Sequence, residues 1–224
     1  MTAVLFDMDG VIVNSEDYWV EFEETDLFPD AVPDADVDLA ETSGMNFREI
    51  YDYLDDEYGT AITREEWIER FDETAETIYT ERVELLAGFR DLLEALREAE
   101  VPVALVSSSP HDWIDLVLSR FDLGGEFDAV VSADDIDADS KPAPDVFEHA
   151  AAALGANPEE SIAVEDSANG VEAAARAGTT VVAYEIGAHG DIDLSRADEV
   201  AADPAELRET VLAVTIEAKS PSRG

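Results

Sequence analysis

Five short runs of nearly unbroken apolar residues set the frame for any fold this chain can take. They are Ala3–Phe6, Pro102–Val106, Ala129–Val131, Ser161–Val164 and Thr180–Ala183. A strand wetted on one face alternates apolar and polar residues. Runs without alternation fit strands buried on both faces, as in a parallel sheet covered by helices. Amphipathic patterns fill the gaps: "FRDLLEALREAE", "HDWIDLVLSRF", "APDVFEHAAAALG" and "NGVEAAARAG". The second opens with a helix-start signature, Ser109 as N-cap, Pro110 at the first helical position and Asp112 at the third. Repeated β–α alternation predicts an α/β fold, a doubly wound parallel sheet with helices on both faces.

One segment interrupts the alternation. Residues 15–86 hold no buried strand run, and "YWVEFEETDLF", "FREIYDYLDDEYG" and "TREEWIERFDETAETIYTERVELL" read as amphipathic helices. The expected organisation is a core of residues 1–14 and 87–224 with a helical cap, residues 15–86, placed to fold over the strand ends.

Charge narrows the function classes. Acidic residues outnumber basic ones 55 to 13, a formal net charge of -42, yet 46% of residues are hydrophobic, so the chain is expected to fold. Scattered acids suit a salt-rich cytoplasm, where at about 1 M the Debye length is roughly 3 Å and self-repulsion is screened. An extreme halophile's protein is the expectation. No basic stripe offers itself to nucleic acid or anionic membrane, no apolar run is long enough to span a bilayer, and an aspartate at position 7 is too early for a signal peptide, so a cytoplasmic location is expected. Cysteine is absent, which removes disulfides and thiolate metal sites.

Four stretches carry chemistry-bearing residues at strand ends. In "VLFDMDGVIVNSE", Asp7 and Asp9 stand two apart. In a strand both carboxylates then face one way, suited to a hard cation such as Mg²⁺ or to a nucleophile with an acid/base partner, although D-x-D-G is also ordinary turn chemistry. In "VALVSSSPHDW", Ser107 and the N–H groups after it, Ser108 included, lead into a helix start, a place for an anion, with capping alone the plainer role for Ser109. In "DADSKPAPDVF", Lys141 is one of two lysines in a chain whose other eleven basic residues are arginine. Lys219 reads as part of a frayed tail, whereas a compact ammonium before a helix suits a phosphate contact. In "IAVEDSANG", Glu165 and Asp166 can complete a cation's oxygen shell or cap the next helix.

Together these stretches resemble, in order and spacing over residues 3–200, the haloacid dehalogenase-like hydrolase superfamily. The match is to its helical-cap branch and to the phosphatase and β-phosphoglucomutase group. "AGFRDLLEALREA" resembles that group's return to a Rossmann-like core. The resemblance implies that Asp7 is the nucleophile and Asp9 the acid/base. Mg²⁺ would be held by Asp7, the Asp9 carbonyl and Asp166, with Glu165 direct or one ligand removed. Ser107, Ser108 and Lys141 would hold the phosphoryl group. It implies a hydrolase of a small phosphorylated substrate, a sugar phosphate or phosphoglycolate type, acting as a monomer or weak homodimer.

Departures choose within the group. Dehalogenases need neither the second aspartate nor Mg²⁺, so Asp9 and the "ED" pair favour phosphoryl chemistry. Mutases carry a histidine ten residues after the second aspartate, where this chain has Trp19. Their cap arginine falls on Phe47 when Gly44 is aligned, with Arg48 next to it. A phosphomutase is the alternative reading and a non-catalytic binding protein the second. Trp19 and Arg48 are candidate substrate contacts. His111 is a weaker candidate, while His149 and His189 default to structural or surface roles. "DDIDADS" lacks the later residues of a calcium loop and reads as a solvated loop.

Overall fold

The computed structural model describes residues 1–35, 37, 42, 45–185 and 193–219. Gly44 and His189 lie outside the described residues.

All five apolar runs are strands: β1 (Ala3–Asp7), β2 (Val103–Ser107), β3 (Ala129–Ser132), β4 (Ser161–Glu165) and β5 (Thr180–Tyr184). A sixth, β6 (Glu199–Ala201), adds an edge with two of its three residues exposed. The sheet is wholly parallel, in the order β3-β2-β1-β4-β5-β6. β1, β2 and β4 are buried along their whole length, as runs without alternation require. Each of the five strands ends one residue beyond its apolar run. The added residues include Asp7, Ser107, Ser132 and Glu165, so the backbone ladder carries polar side chains to the C-terminal edge.

Residues 16–82 between β1 and the return helix are helical wherever described elements occur. They form α1 (Glu16–Phe22), continued by a wider turn at Glu23–Leu27 into α2 (Phe28–Ala31), then α3 (Phe47–Glu57) and α4 (Arg64–Thr77), which widens again at Ile78–Arg82. Their starts are set by local chemistry. The Asn46 side chain accepts the Arg48 N–H at 3.0 Å, and Thr63 accepts the Glu66 N–H at 3.2 Å. The chain returns through α5 (Phe89–Glu98), and α6 (His111–Arg120), α7 (Asp145–Ala153), α8 (Ala168–Ala177) and α9 (Pro204–Lys219) complete the layers.

Strand alternation splits the core. Val4 and Phe6 pack with α5 and with the aromatic side chains of α1, α3 and α4, while Leu5, Ala104 and Val106 pack with Phe147 and Ala150 of α7 and with α8. Asp7 is two residues beyond Leu5, so it leaves the strand on the α7 side, where Lys141 precedes that helix. Lys219, expected in a frayed tail, instead ends α9, with its ammonium on the Ala99 carbonyl. A three-residue edge strand and a terminal helix with charges around much of its surface carry little periodic signal, so β6 and α9 escape a pattern reading.

Candidate active site

β1, β2 and β4 are neighbours, so their C-terminal ends bring Asp7, Ser107 and Glu165 to one edge of the sheet. Lys141 enters from the segment before α7. Its ammonium, buried, donates to Asp7 Oδ1 and, at 2.5 Å, to Glu165 Oε1. The other Glu165 oxygen accepts the backbone N–H groups of Asp166 (3.1 Å) and Ser167 (3.3 Å) and the Ser167 hydroxyl (3.2 Å). Both Glu165 oxygens are thereby committed to the protein itself. Ser167, and not Asp166, caps α8, its hydroxyl accepting the Gly170 N–H at 3.0 Å.

Two glycines make room for these acids. A Cβ on Gly170 would lie 2.1 Å from the Glu165 carboxyl, and one on Gly10 would lie 1.9 Å from Asp166 Oδ2. Gly10 also has a φ of +74°, which favours glycine independently.

Asp9 sits beside this centre in a cage of hydroxyls. Its Oδ1 accepts from Ser15 at 2.6 Å and from Tyr79 at 2.7 Å, and its Oδ2 accepts from Ser109 at 3.0 Å. The expectation that Ser109 only caps α6 is corrected. The helix starts at His111 after Pro110 with no side-chain cap, and the Ser109 hydroxyl goes to Asp9. Neither Ser109 nor Tyr79 was singled out from sequence as a partner of Asp9. Tyr79 is 70 residues away and reads only as part of an apolar helix stripe.

Electrostatics follow from burial. Burial pushes the Asp7 carboxyl well above the usual carboxylate range. The Lys141 ammonium pulls it back, and the charges of Glu165, Asp166 and Asp9 push it up again. Burial alone would lower Lys141, but the Asp7 and Glu165 carboxylates outweigh it and hold the ammonium above the ordinary lysine value. Burial, then the Glu16 charge, raises Asp9 against the pull of its three hydroxyl bonds. Burial and the Asp9 charge raise Tyr79, which therefore stays a phenol and a donor.

The remaining expected residues divide. A cavity above the centre is floored by Asp7, Asp9, Lys141 and Asp166, and Ser108 and Ser109 form one side. Its walls include Trp19, Phe47, Phe71 and Trp113. Ser107 does not reach the cavity. It is fully buried, and its hydroxyl accepts the Ser109 N–H at 3.0 Å, shaping the loop. Trp19 does reach it, but its indole N–H is given to Tyr79 at 3.2 Å. Arg48 lines a neighbouring cavity instead, paired with Asp134 at 3.1 Å and lying over the Phe47 ring. The start of α3 clasps the loops beside the centre. Asn46 donates to the Ser108 carbonyl at 2.9 Å, and Glu49 accepts the Ser140 N–H at 3.2 Å and its hydroxyl. His111 turns away to Asp135 at 2.8 Å, and Asp135 also accepts the Ser132 N–H, so this aspartate of "DDIDADS" is used locally. His149 is exposed.

A hard cation fits this centre on the chemistry of its donors. Among the described residues no three acidic or imidazole side chains converge as a ready metal cluster. The expected donors, the Asp7 and Asp166 carboxylates and the Asp9 backbone carbonyl, are all oxygens. Mg²⁺ suits such a set, since it takes one or two carboxylates and fills its octahedron with water and phosphate oxygens. Against the one ammonium of Lys141, the charges of Glu165, Asp166 and Asp9 all act on Asp7, and a cation would offset them.

Known proteins resemble this chain in sequence and in fold. Residues 4–184 match the family model described as haloacid dehalogenase-like hydrolase. Hexitol phosphatase B of Escherichia coli K12 is 35% identical over 185 residues, covering 80% of this chain and 82% of that one. A phosphorylated carbohydrates phosphatase of Thermotoga maritima is 29% identical over 178 residues, covering 80% of this chain and 82% of that one. The crystal structure of a β-phosphoglucomutase from Clostridium difficile shares the fold, with a TM-score of 0.68, 21% identity and coverage of 94% of this chain and 98% of that one. The chain belongs to the haloacid dehalogenase-like hydrolase family.

Proposed function

We propose that this protein is a Mg²⁺-dependent phosphatase of a small phosphomonoester, of the sugar phosphate or phosphoglycolate type, working through an aspartyl-phosphate on Asp7. The observation that carries this reading is the buried Lys141 ammonium shared by Asp7 and Glu165, next to a caged Asp9. An Asp7 oxygen bonds phosphorus as the bond to the leaving alcohol breaks, and the proton of Asp9 goes to that alcohol oxygen. Asp9, now a carboxylate, takes a proton from water. The water oxygen bonds phosphorus, the Asp7–phosphorus bond breaks, and orthophosphate leaves.

Lys141, fixed by Glu165, neutralises phosphoryl charge, and the Ser108–Ser109 loop, shaped by Ser107, offers hydrogen bonds to the phosphoryl oxygens. Mg²⁺, held by Asp7, Asp166 and the Asp9 carbonyl, would supply further charge neutralisation and orientation. Glu165 has no place on the cation in this reading, because both of its oxygens are committed. Residues 15–86 are read as the cap over a core of 1–14 and 87–224.

The names of the two phosphatase relatives support hydrolysis of a phosphorylated carbohydrate. Two features favour phosphatase over phosphomutase. Trp19, at the mutase histidine position, spends its N–H on Tyr79, and Phe47, at the mutase arginine position, is part of the aromatic wall. Orthophosphate release should be measured over a panel containing hexitol phosphates, hexose 6-phosphates, phosphoglycolate and β-glucose 1-phosphate, with Mg²⁺ and molar KCl. Release by the wild type and none by Asp7→Asn is expected. Substantial turnover by Asp7→Asn sinks the nucleophile assignment, and isomerisation of β-glucose 1-phosphate without phosphate release sinks the choice of phosphatase.

A further inference from the structure

Tyr79 lies outside every sequence motif of the site, yet it makes a short contact with the acid/base. Three groups form a directed chain: Trp19 Nε1 to Tyr79 Oη at 3.2 Å, and Tyr79 Oη to Asp9 Oδ1 at 2.7 Å. An indole N–H can only donate. It therefore occupies an acceptor position on the Tyr79 oxygen and turns the phenol hydrogen toward Asp9. Tyr79 is fully buried and Trp19 nearly so, and their rings pack edge to face at 6.0 Å, so the direction is fixed by packing as well as by bonding.

The two Asp9 oxygens then differ. Oδ1 receives two hydroxyl donors, Ser15 at 2.6 Å and Tyr79 at 2.7 Å, whereas Oδ2 faces Ser109 at 3.0 Å. Ser15, like Ser109, is a hydroxyl that can rotate, but Tyr79 is held as a donor, so a hydroxyl on Oδ1 would meet the fixed phenol hydrogen. One on Oδ2 meets a serine that can rotate and accept. Ser109 borders the cavity, on the same loop as Ser108.

We propose that Tyr79, oriented by Trp19, is a positioning residue that keeps Asp9 Oδ1 as an acceptor and so places the acid proton on Oδ2, facing the leaving group. This rests on the phosphatase reading above. As the Asp7–phosphorus bond forms and the bond from phosphorus to the alcohol breaks, the proton on Oδ2 passes to the departing oxygen. Misplacing that proton penalises an alkoxide, which must be protonated, far more than p-nitrophenolate, which leaves as a stable anion.

The test compares kcat/KM on β-glycerophosphate and on p-nitrophenyl phosphate, with Mg²⁺ and molar KCl, for the wild type and Tyr79→Phe. This ratio covers steps only up to the first departure of alcohol or phenol. Expected is a fall of roughly tenfold on the alkyl ester and a fall at least threefold smaller on the aryl ester. Equal losses on both, or no loss on the alkyl ester, overturn the proposal. If Tyr79→Phe loses its cooperative melting transition, Trp19→Phe decides, since it keeps a ring in the stack while removing the N–H, and the loss of ring volume that comes with it should affect both esters alike. A selective loss on the alkyl ester, smaller than tenfold, supports the proposal, and equal effects on both esters overturn it. A panel phosphate that the wild type hydrolyses takes the place of β-glycerophosphate where that ester is not turned over, and a wild type that releases phosphate from no ester at all sinks the phosphatase reading and this inference with it.

Discussion

Lys141 and Glu165 form a buried ion pair of 2.5 Å whose other half is the proposed nucleophile, since the same ammonium also donates to Asp7. In the proposed mechanism Glu165 therefore acts at one remove. It fixes where the ammonium stands, and the ammonium orients Asp7. Glu165→Gln keeps an acceptor but removes the charge, so kcat should drop by roughly tenfold or more and the melting temperature should fall, as expected when one partner of a buried pair is neutralised. Lys141→Ala should cost more, roughly a hundredfold or greater in kcat, because the proposed phosphoryl contact is lost as well. Steady-state kinetics with a melting curve for each variant checks both. A mild effect of Lys141→Ala would return that lysine to a structural role.

Gly170→Ala separates space from helix propensity. Alanine in a helix interior is favoured over glycine by about 1 kcal/mol, so a position without a steric demand would gain stability. Here the new Cβ would stand 2.1 Å from the buried Glu165 carboxyl, which has to move and take Lys141 with it. The expected result is a folded protein with kcat lowered by roughly tenfold. Unchanged kcat with a higher melting temperature would show that Glu165 relaxes freely.

Asp9 gives a pH prediction. Its carboxyl is raised by burial and then by the Glu16 charge, so the fold prefers the protonated form. The stability from this preference is fully present below the unfolded aspartate value and is lost as pH rises through the folded one. Asp9→Asn has no such loss. Without Mg²⁺ and in molar KCl, its melting temperature should exceed the wild type's by more at pH 8 than at pH 5. A gap that shrinks with rising pH would contradict the sign.

Salt should stabilise the whole protein. With 55 acidic and 13 basic residues, repulsion among surface carboxylates opposes folding in dilute buffer and is screened in concentrated salt. Raising KCl from 0.1 to 3 M should raise the melting temperature. No change would remove the argument for a halophilic protein.

The strands were legible because both their faces are buried and each run is apolar along its length. Asp7, Ser107 and Glu165 were legible because they sit one step past those runs, at the one edge of a parallel sheet where ligands bind. The arrangement of Asp9 was not. Ser109 belongs to a local pattern that also describes a helix cap, and only the tertiary position of Asp9 decides where its hydroxyl goes. Tyr79 and Trp19 carry the apolar character that any packed helix needs, and nothing in periodicity marks the polar atom each brings to the site. β6 is too short to show a period, and its two exposed residues hide it.

The stacked rings of Trp19 and Trp113 have a practical consequence. Trp19 stands on α1, which follows β1, and Trp113 on α6, which follows β2, with centroids 5.5 Å apart and planes 21° from parallel. The chain has three tryptophans in all, and two of them meet in the wall of the cavity. Indoles this close share their electronic excitation, so any separation of the two helices alters near-ultraviolet circular dichroism and emission. The pair is an intrinsic optical gauge of the distance between α1 and α6, readable without a label.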